Sequence, residues 1–130
     1  MLLQNVYGAR KAMQAIANVN LSPKTAYSLL RYTRLFDAEF ELVEKKRVGL
    51  LKAAAGSQGE KSISLEQGTP EFDKFMQGFV DFLATESELK PCPLPLVALL
   101  DEMGTDPANT LSAQDLAVLE PFFIVEQDTP

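Results

Sequence analysis

The densest run of charge in this chain is Lys45, Lys46 and Arg47, preceded by Glu39, Glu41 and Glu44 and followed by Lys52. Basic side chains in such a run can hold phosphate or an acidic partner, and carboxylates beside them can move protons. The spacing argues for something plainer. A nucleic-acid surface spreads positive charge over a whole face, often with aromatics between. Here Glu41 and Lys45 stand four apart, in the order that favours a pair on one helix. The run reads as the solvated side of a helix, and direct nucleic-acid contact is not expected. Arg31 and Arg34 beside Tyr27 and Tyr32 form a second patch. Arginine and aromatic residues are enriched at protein interfaces, so this patch reads as a candidate partner contact.

Other chemistries are removed by what the chain lacks. It contains no histidine. The commonest general base and the commonest metal ligand are therefore absent, and neither serine–histidine nor cysteine–histidine nucleophiles can be assembled. The single Cys92 lies between prolines with only Lys90 as a basic neighbour, and it reads as structural. One cysteine cannot build an internal disulfide framework, which fits a reducing compartment. The stretch "GSQGEKS" at 56–62 superficially suggests a phosphate loop. Its glycines stand too close together, Glu60 precedes Lys61, and the stretch follows a helix instead of a strand. Asp101, Glu102 and Asp106 lack the ordered spacing of a calcium loop. No enzymatic activity, cofactor or metal is expected.

The 130 residues suit a single domain, 1–130, long enough to bury a core without disulfide or metal staples. No apolar run is long enough to span a membrane. The N-terminal "MLLQNVYGARKAMQ" lacks the pattern of a secretory signal. The expectation is a protein made inside a cell, with no membrane partner. The net charge of −6 hides an asymmetry. Residues 1–59 carry nine Lys/Arg against four Asp/Glu, or +5, and residues 60–130 carry three against fourteen, or −11. Opposite-sign halves can pair within one molecule, between copies head to tail, or with a partner of opposite charge.

The elements that carry these residues are mostly helical. Leu2, Val6, Ala9, Met13 and Ile16 mark one face of a helix over 2–18. Ser22-Pro23 is a strong start for a second helix reaching about Ala55. Its length would be roughly 50 Å, with Leu29, Phe36, Val43 and Leu50 one heptad apart and Phe40 and Leu51 widening the stripe. Thr33 and Arg47 interrupt this seam, which favours a mixed bundle over a continuous coiled coil. A short strand is expected near 62–66. Thr69-Pro70 opens a phenylalanine-rich helix to about Thr85, with Phe72, Phe75, Met76, Phe79, Val80 and Leu83 on its packing face. "LKPCPLP" cannot be helical and reads as an extended crossover within 88–96. Leu96–Met103 reads as a short helix closed by Gly104, and Ser112 with Asp115 caps another that ends at Pro121. "FFIVE" at 122–126 is β-prone and can pair with 62–66 or with 88–96. The last residues, "QDTP", are expected to fray.

The fold expectation is therefore mainly α: a helical hairpin or bundle around the long helix 23–55, with a few short strands. Residues 1–59 form a basic helical hairpin and 60–130 an acidic half with the Phe-rich helix. A helix of that length needs cover from elsewhere. Tyr27, Arg31, Tyr32, Arg34, Phe40, Val43, Arg47 and Leu50 are the residues expected to meet a partner.

The order of segments also resembles a class of small bacteriophage and prophage proteins. The resemblance is carried by the long charged helix "LSPKTAYSLLRYTRLFDAEFELVEKKRVGLL", the "E..R..L" formed by Glu44, Arg47 and Leu50, and the "S..DL..LEPF" running from Ser112 to Phe122. It covers most of the chain at the level of layout, carries no catalytic residue, and departs from the class in the short alanine-rich turn "KAAAGSQGEKS". It implies a non-enzymatic phage protein, a virion structural or assembly component of head, neck or tail. Such a component would contact copies of itself or other phage proteins in the host cytoplasm and then in the virion. The alternative is a phage-encoded inhibitor of a host defence or transcription protein, for which the acidic half would serve as a mimic of nucleic acid.

Overall fold

The computed structural model describes residues 1–55, 68–104 and 111–124. The expected strand at 62–66, the loops around 56–62 and 105–110 and the C-terminal residues lie outside them. The chain is mainly α-helical, as its periodicity implies. It runs α1 (Leu3–Gly8), α2 (Arg10–Ala17), α3 (Pro23–Ala55), α4 (Pro70–Leu83), β1 (Cys92–Pro95), α5 (Leu96–Met103), α6 (Ala113–Leu119), a 3₁₀ turn (Glu120–Phe122) and β2 (Phe123–Ile124).

Of the apolar stripe expected on the first helix, Val6, Ala9, Met13 and Ile16 are buried, whereas Leu2 precedes the helix and is half-buried, and Leu3 turns inward in its place. The helix itself is broken in two, which differs from the continuous 2–18 expected. At Ala9 the backbone leaves the α region, and its N–H bonds to Val6 O at 3.3 Å, a three-residue span. Gly8 sits just before the break, where a glycine costs a helix about 1 kcal/mol relative to alanine. The bend lets α1 lie over the distal part of α3 while α2 packs against its proximal part and against α6.

Helix α3 is the axis of the molecule. Leu29, Phe36 and Val43 are buried and Leu50 is half-buried, so the seam predicted from the heptad spacing is covered within the chain. Thr33 is tolerated there because its hydroxyl donates to Leu30 O at 2.8 Å, which satisfies the buried polar group. Around the first half of α3 lies the larger core cluster, with Val6, Met13, Ile16, Leu99, Leu119 and Phe122. Around the second half lies a smaller one, with Leu3, Val43, Phe75 and Phe79. An aromatic relay joins them: Phe122 meets Phe36 edge-on at 5.5 Å, Phe36 lies 6.3 Å from Phe40, Phe40 stacks on Tyr7 at 5.9 Å, and Tyr7 meets Phe79 edge-on at 5.2 Å. The Arg10 guanidinium lies 4.7 Å over the Phe40 ring, a favourable cation–π geometry.

The Phe-rich helix α4 starts as expected, with Thr69 accepting from Phe72 N–H at 3.2 Å and Pro70 in the first turn. Phe75 and Phe79 turn inward, but Met76 and Val80 are exposed, which narrows the packing face predicted for this helix. Gly78 stands opposite Leu50 on α3, where an added Cβ would meet the leucine at 3.4 Å. The proline-rich crossover is extended, as expected, and forms β1. It pairs in parallel with β2, in the register Cys92 to Phe123 and Pro95 to Ile124 with an irregularity between. Phe123 and Ile124 of the β-prone run therefore join the 88–96 segment, and Phe122 stays in the 3₁₀ turn. Helices α5 and α6 make the crossover that a parallel pair requires. Gly104 takes φ +56 at the end of α5, and Ser112 and Asp115 form the reciprocal capping box of α6.

One long-range polar contact closes the start of α3. Glu102 on α5 accepts from Ser22 N–H at 2.9 Å and from the Thr25 hydroxyl at 2.5 Å. A carboxylate at a helix N-terminus is stabilising because the first N–H groups there have no partner in the helix. The Thr25 hydroxyl and the Ser22 N–H lower the Glu102 pKa from its ordinary 4.5.

Two outcomes follow from this packing. Phe36→Ala, which empties the centre of the larger cluster and breaks the relay, lowers unfolding stability by about 3–5 kcal/mol in urea denaturation. The Glu102 contact stabilises the fold above the ordinary carboxylate pKa, because its folded pKa is depressed, and that contribution is lost as pH falls through the folded value. Comparing urea midpoints of Glu102→Ala and wild type checks this: the gap stays constant from about pH 7 to 6 and narrows below about pH 4.5.

Candidate functional site

A groove runs along one flank of α3, between the helix and the chain segment that returns from α4 to β1. Three depressions make it up. The first, about 330 Å³, is lined by Ser28, Arg31, Tyr32, Leu35 and Pro93. The second, about 400 Å³, shares Tyr32, Leu35 and Pro93 with it and extends to Glu39, Leu42 and the backbone path 88–91. The third, about 530 Å³, shares Glu39, Leu42 and Glu88 and reaches Lys45, Lys46 and Phe82. From Ser28 to Lys46 the floor spans roughly 27 Å at the rise of an α-helix.

Its outer wall is held in place by hydrogen bonds to α3 one heptad apart. The Tyr32 hydroxyl donates to Lys90 O at 2.7 Å. Glu39 accepts from the Ser87 hydroxyl and from Glu88 N–H, and Ser87 Oγ also accepts from Leu89 N–H. The N-terminal residues lie against the same segment: Leu3 N–H donates to Thr85 O at 2.9 Å, Ser87 N–H to Met1 O at 2.8 Å, and the Met1 amine meets Glu86 at 3.2 Å. Burial, with the Cys92 thiol nearby, raises the Tyr32 pKa well above its usual value, so the phenol remains a donor. Burial likewise raises the Cys92 thiol, in spite of its hydrogen bond with the Leu94 backbone. A buried thiol held neutral is unreactive, in keeping with a structural reading of Cys92.

The structure divides the residues expected at a partner interface. Tyr27, Arg31 and Arg34 are exposed, so they remain available to a partner. Tyr32, Phe40 and Val43 are buried and serve the chain's own core, a correction to their assignment as partner contacts. The cover they need comes from α1, α4 and β2, through Tyr7, Phe79 and Phe123. Leu50 is half-buried beneath α4. Arg47, also half-buried, hydrogen-bonds Glu44 at 3.0 Å, which raises its pKa further. Among the described residues this Glu44–Arg47 contact is the ion pair within α3, and it replaces the Glu41–Lys45 pair expected from the i,i+4 spacing.

Two residues that sequence reasoning missed matter more. Leu35 and Leu42 are 60% and 58% exposed, on the floor of the groove. They stand seven apart, a second heptad register offset from the buried seam. Counting heptads from Leu35 as well as from Leu29 would have found them. The rim is mixed in charge, with Arg31 at one end, Lys45, Lys46 and Glu86 at the other and Glu39 and Glu88 between them, and the Lys46 ammonium lies 5.8 Å over the Phe82 ring.

Of the two carboxylates at the middle of the groove, Glu39 and Glu88, the first is already engaged with the Ser87 hydroxyl and the Glu88 N–H. Among the described residues no cluster of three or more Cys, Asp or Glu is placed to hold a metal. Nor is any helix among them long and apolar enough to cross a membrane. The site is thus an elongated trough with an apolar floor and a rim of both signs of charge. Its class is that of a mainly α-helical protein organised on a single long helix. No family model, curated protein or solved structure matches the chain.

The wall of the groove gives a direct check. Tyr32→Phe removes the bond to Lys90 O and leaves that carbonyl short of a partner, lowering stability by about 1 kcal/mol in chemical denaturation. In the same measurement Leu35→Ser, at an exposed position, changes stability by about 0.5 kcal/mol or less.

Proposed function

We propose that this chain is a non-enzymatic bacteriophage protein, a structural or assembly component of the head, neck or tail, which acts by docking another polypeptide along α3. The observation that carries the docking is the exposed Leu35 and Leu42 pair on the floor of a groove with charged residues along its rim. Apolar side chains aligned along a trough and rimmed by charge are a usual signature of a protein interface. The phage assignment rests on the layout of the chain, with Glu44, Arg47 and Leu50 ending the long helix and the Ser112–Phe122 pattern near the C-terminus. The second reading, an inhibitor of a host protein, draws on the −11 charge of residues 60–130, which suits mimicry of nucleic acid.

Proteomics of purified particles, from the phage or prophage that carries the gene, tests the choice. The assembly reading expects the protein in particles or in their precursors. It also expects Leu35→Glu/Leu42→Glu to fold normally by circular dichroism while incorporation falls by about tenfold or more. Absence from particles and precursors, with stoichiometric capture of one host protein from lysate, rejects it in favour of the inhibitor.

A further inference from the structure

We infer that residues 84–91 form a strap that opens as one unit while the rest of the chain stays folded, and that its opening uncovers the polar side chains along the groove floor of α3. The inference goes beyond the docking role proposed above and does not depend on it, because opening is read on the protein alone. The strap runs from the end of α4 to the start of β1. None of its residues is buried, and only Ser87 and Leu89 are half-buried. Among the described residues its ties to the body are polar, apart from Leu89, which packs on the larger core cluster. Lys90 O accepts from the Tyr32 hydroxyl at 2.7 Å. The Ser87 hydroxyl and the Glu88 N–H donate to Glu39. Leu3 N–H donates to Thr85 O at 2.9 Å, Ser87 N–H donates to Met1 O at 2.8 Å, and the Met1 amine meets Glu86.

Such a segment is easier to release than the elements at its ends. A hydrogen bond exchanged for one to water is worth little net, whereas freeing these eight residues returns chain entropy. Neither neighbour can follow so readily. Helix α4 is held by Phe75 and Phe79, with Leu83 packed beside them. Strand β1 is held by Cys92, which is fully buried and pairs with Phe123. The strap therefore has fixed ends at Leu83 and Cys92 and a middle tied by hydrogen bonds near the surface. Regions of this kind open at a lower free energy than the whole fold. Opening frees the Tyr32 hydroxyl and the Glu39 carboxylate. With Leu35 and Leu42 they stand at spacings of three and four, which puts all four on one strip of α3. The closed strap occupies the polar members of that strip and leaves the apolar ones bare.

The test is native-state amide hydrogen exchange on the full chain, at one pH and temperature, across a series of low urea concentrations. The amides of Leu3, Ser87 and Glu88 report on the strap, since their N–H groups make its ties. Amides of α3 around the buried Phe36 are the reference. The strap amides exchange together, faster than the core amides, and at a rate that urea hardly changes, because little surface is exposed. Tyr32→Phe cuts the tie at residue 90 and still speeds exchange at Ser87 and Glu88 by about fivefold. Met13→Ala, in the core on α2, speeds the core amides by about thirtyfold or more and leaves the strap amides unchanged. Ile16→Val gives the same contrast, at about threefold on the core amides, if Met13→Ala does not fold. Cys92, the chain's single cysteine, lies just past the strap. Its labelling by a maleimide follows the core amides.

Three outcomes overturn the inference. Strap amides that exchange only at the core rate, with the urea dependence of the core, mean that the strap opens by global unfolding alone. Exchange at Ser87 and Glu88 that Tyr32→Phe leaves unchanged means that the ties act separately and form no unit. Cys92 labelling that keeps pace with the strap amides means that β1 leaves as well, so the opening unit is not 84–91.

Discussion

A helix of 33 residues cannot bury its own apolar side, and the rest of this structure is arranged to do so for it. Helix α3 is roughly 50 Å long, while the other helices are 6 to 14 residues each. None can cover it alone. The break at Ala9 splits the N-terminal segment so that one piece lies on each part of α3. Helix α4 covers the distal part, and α6 with β2 closes over the proximal part. The ring sequence Phe122, Phe36, Phe40, Tyr7, Phe79 makes these separate covers one continuous apolar interior. Aromatic side chains are suited to this because each bridges two layers and still gains from edge and offset contacts.

The groove is what that cover leaves open. Between Ser28 and Lys46 the flank of α3 faces an extended segment instead of a helix, because the prolines at 91, 93 and 95 forbid helix there. An extended chain is thinner than a helix and fills less of the flank. It is held at defined points, Tyr32 to Lys90 and Glu39 to Ser87 and Glu88, and Leu35 and Leu42 are left uncovered beside it. Helix α3 carries most of the exposed positive charge among the described residues, and Glu86 and Glu88 on the facing segment set carboxylates across the groove from Lys45 and Lys46.

Much of the architecture was legible in the residue order. The Ser22-Pro23 and Thr69-Pro70 starts, the Gly104 stop, the Ser112 and Asp115 box and the non-helical proline run all act through neighbouring residues. Their conformational meaning survives folding. The heptad seam of α3 was legible for the same reason, since helical periodicity is a property of the chain alone. The break at Ala9 was not. Its apolar stripe continues straight through, and a single three-residue hydrogen bond accommodates the bend. The ion pair on α3 was misplaced too, since it joins Glu44 to the half-buried Arg47 instead of Glu41 to Lys45, and Lys45 turns to solvent.

The candidate site shows where reading along the chain stops. The sequence by itself determined that α3 exists, where it starts, and that one stripe of it is apolar. It also determined that the usual histidine chemistry is absent and that charge is divided between the two parts of the chain. Only the tertiary structure decided which apolar residues of α3 are covered. Tyr32, Phe40 and Val43 are buried, and Leu35 and Leu42 are not. The physical reason is that burial depends on segments distant in sequence: Phe79 is 36 residues from Val43, Phe123 is 91 from Tyr32, and Ser87 is 48 from Glu39. Apolar character belongs to the residue, whereas exposure belongs to whatever the rest of the chain places beside it.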